Sequence, residues 1–150
     1  MGFFSSKPSQ GGYTPKNEQE AWIAIMYAVT ASDGHVSQVE VNKLNQLVEV
    51  KSLFKGHDIA TYFKNVQTAI ANDISCQSIV DSSVSKIADE NKQTLMALLV
   101  ELVLSDAIVE AGEEEIISYI SQQLDIDVLT IQKMVDVMII RNKYNMKMAD

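Results

Sequence analysis

Acidic side chains recur in two short segments of the chain with the same spacing. Asp33 and Glu40 stand in the first segment, and Asp106 and Glu113 stand in the second, at a constant offset of 106 − 33 = 73 residues. Carboxylate oxygens are the ligands that hard divalent cations such as Ca²⁺, Mg²⁺ and Mn²⁺ prefer. If the two segments converge about a pseudo-twofold axis, these four carboxylates predict a site for a divalent cation.

Other side chains in the two segments add to this candidate cation site. Glu110 and Glu114 would supply further oxygens, and His35 lies beside the first carboxylate. The segments do not fit the EF-hand pattern, because no acidic or amide residue stands at the third position and Gly34 comes second rather than sixth. Any cation would therefore be held by a different geometry.

A second interpretation of the acidic segments needs no metal. Ser37 and Glu40 have the spacing of a helix capping box, and residues 113–115 fall in a first helical turn, where the helix dipole favours negative charge. Asp33 and Asp106 fit this interpretation less well, because each follows an apolar helical pattern, and a carboxylate at the carboxyl end of a helix opposes the dipole. Both interpretations stay open at this level.

Helical periodicity accounts for the chain from residue 17 onward. Apolar residues recur at intervals of three and four, and no segment alternates in the manner of a strand. The patterns predict helices at about 17–32, 38–51, 58–72, 76–87, 90–105, 113–124 and 128–144. At the offset of 73, Ala24 aligns with Ala97, Val29 with Leu102 and Leu44 with Ile117. We therefore predict an all-α, single-domain bundle of about seven helices with an internal pseudo-twofold repeat.

Composition sets the expected limits of this domain. Residues 1–16 are rich in Ser, Gly, Lys and Pro and predict a flexible tail, residues 17–145 form the helical domain, and residues 146–150 form a second tail. Asn17 and Glu20 have the spacing of a capping box at the start of the first helix.

Apolar side chains predict how three of the helices pack. The first helix carries one apolar stripe, and the fifth is apolar almost all round, which is typical of a buried central element. The seventh should begin at an Asp127 cap and bury a face of its own. The stripe of the first helix is Trp22, Ile25, Met26 and Val29, and the buried face of the seventh is Ile131, Met134, Val135, Met138 and Ile139.

Charge and motifs exclude several functional classes. A formal net charge of −8 disfavours a nucleic-acid partner, because that affinity depends on Lys and Arg. Cys76 is the only cysteine, so no internal disulfide is expected and a reducing cytoplasm is the natural location. No segment has the roughly 20 apolar residues of a membrane span. No HExxH, GxSxG or phosphate-binding loop is present, so we expect no enzymatic activity.

The duplicated acidic turn resembles that of the TerB family, the tellurite-resistance proteins. The resemblance rests on the turn 31–34 followed by Ser37 and Glu40, and on its second copy, 105–106 followed by Glu110 and Glu113. It covers about residues 17–143 and implies a seven-helix bundle with internal pseudo-symmetry. Related domains occur in DnaJ-like membrane co-chaperones.

The resemblance also implies a function. Family members take part in stress responses to tellurite and other insults, are not known as enzymes, and carry a proposed divalent-metal or interaction surface at the positions of Asp33, Glu40, Asp106 and Glu113. It implies protein partners, some of them membrane-associated, that would hold a cytoplasmic protein at the periphery of the inner membrane. The main hypothesis is therefore a stress-response module that binds a divalent cation or a cation-dependent partner. The alternative is a metal-independent interaction domain with an acidic surface.

Overall fold

The computed structural model describes residues 12–32, 36–104 and 111–145. In these ranges the chain forms seven α-helices and no strand, which confirms the all-α prediction. The helices are α1 (Glu18–Ala31), α2 (Gln38–Glu49), α3 (Ile59–Ala71), α4 (Cys76–Ser83), α5 (Lys92–Val103), α6 (Ala111–Gln123) and α7 (Val128–Arg141). Short 3-10 turns precede or follow α3, α4 and α5 at Ser52–Phe54, Val84–Lys86 and Asp89–Asn91.

The chain divides into two compact units. Unit 1 comprises Met1–Ala88 and contains α1 to α4, and unit 2 comprises Asp89–Asp150 and contains α5 to α7. The first two helices of each unit occupy equivalent places along the chain. Adding 73 to the bounds of α1 gives 91–104, which is α5 within one residue at each end, and adding 73 to those of α2 gives 111–122, which is α6 within one residue. The repeat is therefore confirmed for the positions of the first two helices of each unit, and the pseudo-twofold packing of the halves stays a prediction.

Helix α1 is the centre of unit 1. It contacts α2, α3 and α4, and every residue from Glu20 to Ala31 is buried. The alanines Ala21, Ala24 and Ala28 recur at helical spacing and lack bulk, so neighbouring helices can cover these positions closely. The apolar stripe predicted for this helix is buried as expected, and the remaining faces are buried as well.

Helix α5 is the centre of unit 2. It contacts α6 and α7, and its residues Leu95, Leu99 and Val100 are at most 1% exposed, which confirms the predicted buried element. The end of α5 is tied to the end of α7, because Asn142 Nδ2 donates a 2.6 Å hydrogen bond to the carbonyl oxygen of Leu104. Glu101 is only partly covered, and one of its oxygens lies 3.7 Å from Arg141.

Helix α7 differs from its prediction. The five apolar residues that were expected to be buried are only half-buried, and no residue of α7 is fully buried. Among the described residues, α5 is the one helix that packs closely on α7, so this apolar face is covered by a single neighbour and stays half-buried. The predicted cap is confirmed, since Asp127 Oδ2 accepts a hydrogen bond from the Leu129 amide at 3.1 Å.

Candidate functional site

Of the five predicted cation ligands, Glu40 is the one whose side chain lies in the described part of the chain. It forms a complete capping box at the start of α2. The Glu40 amide donates to Ser37 Oγ at 3.2 Å, and Glu40 Oε1 accepts hydrogen bonds from the Ser37 amide at 2.9 Å and from Ser37 Oγ at 3.1 Å. The predicted capping box is thus confirmed, and it gives this carboxylate a structural role at the first amide groups of the helix.

The other predicted ligands fall outside the described part of the chain. Asp33, Asp106 and Glu110 lie in segments outside it, as does His35. The backbone of Glu113 belongs to the first turn of α6, and its side chain is likewise outside the described set. In chain order the two acidic segments nevertheless occupy equivalent places, the first between α1 and α2 and the second between α5 and α6.

Within residues 12–32, 36–104 and 111–145, no group of three or more His, Cys, Asp or Glu side chains is arranged to hold a metal ion. Of the five proposed ligands, this finding concerns Glu40 alone. It shows that Glu40 gathers no complete ligand set from the described residues, so the cation site remains a prediction about the acidic segments.

A buried carboxylate forms a site that the spacing of residues in the sequence did not indicate. Glu20 is only 2% exposed. Its Oε2 accepts a 2.6 Å hydrogen bond from the Tyr13 hydroxyl, and its Oε1 accepts one from Asn65 Nδ2 at 3.3 Å. The predicted capping box with Asn17 is therefore only half correct. Asn17 Oδ1 accepts from the Glu20 amide at 2.8 Å, but the Glu20 carboxylate turns to Tyr13 and Asn65 instead of back to the cap.

A second set of polar contacts surrounds Tyr62, on α3, beside this carboxylate. The Tyr62 hydroxyl accepts a hydrogen bond from Asn17 Nδ2 at 3.1 Å and shares a 2.7 Å hydrogen bond with His57 Nδ1. Lys16 Nζ lies over the Tyr62 ring, 6.0 Å from its centroid, at the outer limit of a cation–π contact. Together these contacts fix residues 13–17 against α1 and α3.

The arrangement around Glu20 is suited to anchoring rather than to catalysis. Both carboxylate oxygens are occupied by donors from the same unit, and hydrogen bonds to an ionised acceptor are stronger than neutral ones. One signal in the sequence could have revealed it: Tyr13 is a lone aromatic residue in a polar segment just before a helix. That Tyr13 is buried shows that the chain packs upstream of Asn17.

Comparison with known proteins gives the family. The family model described as "Tellurite resistance protein TerB" matches residues 19–134, which is most of the chain. The chain belongs to the TerB family. The match runs from unit 1 into unit 2, as expected for one domain, and the resemblance inferred from the acidic turns is confirmed.

One solved structure has a similar fold. A protein of unknown function from Porphyromonas gingivalis has a TM-score of 0.54 to this chain, with 15% sequence identity over 92% of this chain and 98% of that one. At this identity the likeness concerns the fold alone. No curated protein matches the chain significantly. TerB domains are generally not enzymatic, and no helix in the described part of this TerB protein is long and apolar enough to cross a membrane.

The Tyr13–Glu20 contact predicts an alkaline loss of stability. Burial, and then the hydrogen bond to the Glu20 carboxylate, raise the pKa of Tyr13 above its ordinary value of 10.0. The folded chain therefore keeps this proton when the unfolded chain loses it. The contribution of this contact to the free energy of unfolding is fully present below pH 10. Above pH 10 it decreases by at most about 1.4 kcal/mol per pH unit. Denaturant unfolding at pH 9 to 11 should show wild type losing stability faster than Tyr13→Phe, and parallel curves would contradict the prediction.

Proposed function

We propose that this TerB protein is a non-enzymatic stress-response module that binds a divalent cation, Ca²⁺, Mg²⁺ or Mn²⁺, or a protein partner whose binding depends on that cation. The proposed ligands are the carboxylates of the two acidic segments, Asp33, Glu40, Asp106, Glu110 and Glu113. The observation that carries the proposal is the helix repeat. The same kind of acidic segment joins the first and second helices of each unit. Adding 73 to the residue numbers of α1 and α2 gives the bounds of α5 and α6 within one residue.

The charge pattern around these segments supports the proposal. No Lys or Arg occurs in residues 17–42 or in residues 93–132, although each range contains an entire acidic segment. Uncompensated carboxylates repel one another, and a bound cation relieves that repulsion. The same charge disfavours tellurite itself as the ligand, because tellurite is an oxyanion and would be repelled. The proposed role in tellurite resistance is therefore indirect, through the cation or a partner.

The test is the thermal unfolding of metal-stripped protein with and without millimolar Ca²⁺, Mg²⁺, Mn²⁺ or Zn²⁺. A cation that binds only the folded state should stabilise it by about 2.7 kcal/mol at a hundred times its dissociation constant. The double variant Asp33→Asn/Asp106→Asn should lose this stabilisation. Glu49→Gln is the matched control, because it also neutralises an acidic side chain of unit 1, while every proposed ligand and the α2 cap remain, so it should respond fully to the cation.

A metal-independent interaction domain is the second candidate, and the Glu40 capping box favours it. That box accounts for one of the five carboxylates with no cation present. If no cation shifts the unfolding transition of wild type, and if Asp33→Asn/Asp106→Asn is at least as stable as wild type, the cation proposal is wrong. The acidic segments would then serve as helix caps and as a surface for a basic partner. If a cation does stabilise the wild type, isothermal titration calorimetry with that cation gives the number of ions bound per chain.

A further inference from the structure

Helix α7 and a residue just after its end expose several large apolar side chains. Val128 and Leu129 in its first turn are 77% and 69% exposed, Val137 is 54% exposed and Ile140 is 75% exposed. Tyr144, just after the helix, is 90% exposed. Single exposed apolar residues are ordinary on a protein surface, whereas a set along one helix marks an interaction surface.

Three of these residues form a continuous stripe with two charged residues. Leu129, Val137 and Ile140 are separated by eight and three residues, and Lys133 and Asp136 stand between them. At 100° per residue, all five point within a sector of about 100°. The stripe from Leu129 to Ile140 is about 16 Å long at 1.5 Å per residue. We call these five residues the α7 stripe.

The charges along α7 are ordered in a way that suits a second copy of the same helix. Asp125 and Asp127 precede the helix, and Arg141 and Lys143 stand at its end. All four are exposed, although Arg141 is also 3.7 Å from a Glu101 oxygen. Residues 125–143 contain three acidic and three basic side chains and are therefore neutral, whereas the whole chain carries −8. This neutral segment can approach its own copy without the repulsion that the rest of the surface would cause.

We propose that the α7 stripe is a homodimer interface in which α7 pairs antiparallel with α7 of a second copy. A twofold axis near the middle of the stripe places Leu129 beside the partner's Ile140 and Lys133 beside the partner's Asp136, and it repeats both contacts by symmetry. The acidic start of each helix then lies near the basic end of the other. A parallel pair would instead bring like charges together at both ends and align the helix dipoles unfavourably.

The composition of the stripe favours a second copy over a membrane surface. Helices that lie on membranes carry an excess of Lys and Arg on the polar face, whereas acidic and basic residues are equal in number over residues 125–143. The TerB match ends at residue 134, so Asp136, Val137 and Ile140 lie beyond the matched range. The dimer proposal therefore rests largely on residues that the family match does not cover. It is also independent of the cation proposal, because none of the proposed cation ligands lies in the α7 stripe.

The test is sedimentation equilibrium of the full chain over a range of protein concentrations. The wild type should approach about 33 kDa, twice the monomer mass of 16.6 kDa. Ile140→Asp should weaken the dimer at least about tenfold, because it places a charge in the apolar contact with Leu129 of the second copy. Val50→Asp is the matched control, because Val50 is 78% exposed but lies at the end of α2. The dimer dissociation constant of Val50→Asp should equal that of wild type. Thermal unfolding of both variants should confirm that they fold.

A charge swap tests the antiparallel register. Lys133→Asp alone and Asp136→Lys alone each place like charges across the twofold axis, so both should weaken the dimer. The double variant Lys133→Asp/Asp136→Lys restores opposite charges and should recover it. A wild type that remains monomeric at all concentrations would overturn the proposal and leave the stripe to a different partner. A dimer that survives Ile140→Asp, or that Val50→Asp weakens equally, would also overturn it.

Discussion

Replacing Trp22 with alanine is expected to lower the free energy of unfolding by about 3–5 kcal/mol. Trp22 is 2% exposed in the second turn of α1, the helix that the rest of unit 1 surrounds. Its ring meets Phe54 edge-on, with centroids 5.7 Å apart and planes at 80°, and its Nε1 donates to Glu18 Oε2 at 3.1 Å. The substitution removes the largest side chain of the core and leaves a cavity that a rigid helix cannot close.

Chemical denaturation of Trp22→Ala and Trp22→Phe should separate the causes of this loss. Phenylalanine keeps a ring against Phe54 and loses the Nε1 hydrogen bond, so Trp22→Phe should cost less than Trp22→Ala. Val50→Ala is the control for an exposed site, where about 0.5 kcal/mol or less is expected. A loss below about 1 kcal/mol in Trp22→Ala would mean that α1 is not the rigid centre of unit 1.

Local signals explain why the helices could be predicted from sequence. Each predicted helix lies within about four residues of an observed one at both ends, because caps and apolar periodicity act within a few residues of the helix they define. Ser37 and Asp127 show this directly, since each caps the helix that follows it. The 3-10 turn at Ser52–Phe54 was not predicted, because three residues are too few to show a period.

Burial was harder to predict than helix position, because it depends on contacts distant in sequence. The stripe on α1 gave no indication that its other faces are covered too, and the apolar face of α7 gave no indication that it is only half-covered. Glu20 is the clearest case. Its spacing from Asn17 suggested a cap, but its carboxylate is taken by Asn65, which is 45 residues away. Only the fold brings these two side chains together.

The candidate cation site could likewise be predicted only in part from the sequence. Its duplication could be inferred from residue types at a fixed offset, and the matching helix bounds of the two units agree with it. Spacing cannot tell whether a carboxylate serves a cap, a cation or both, because the same residues suit each role. Glu40 illustrates this, since it forms a capping box and remains one of the proposed ligands.

Glu20→Ala is expected to destabilise the protein by about 2–4 kcal/mol. The substitution leaves the Tyr13 hydroxyl without its acceptor and removes the acceptor of Asn65 Nδ2, in a region where the carboxylate is 2% exposed. A buried donor that loses its acceptor lowers the stability of the folded state by the full free-energy cost of removing that donor from water. Glu49→Ala is the matched control, because Glu49 is an exposed helical glutamate of the same unit, and it should change stability by at most about 0.5 kcal/mol.

A double-mutant cycle with Tyr13→Phe assigns the Glu20 loss to its contacts. If the Tyr13 hydroxyl depends on Glu20, the two substitutions together should cost less than their sum, with a coupling energy of about 1–3 kcal/mol in urea unfolding. Limited proteolysis should then cut Glu20→Ala before residue 17 faster than Glu49→Ala, because Tyr13 loses the contact that holds this segment against α1. Additive losses, with equal cleavage rates, would show that Glu20 stabilises α1 without anchoring Tyr13.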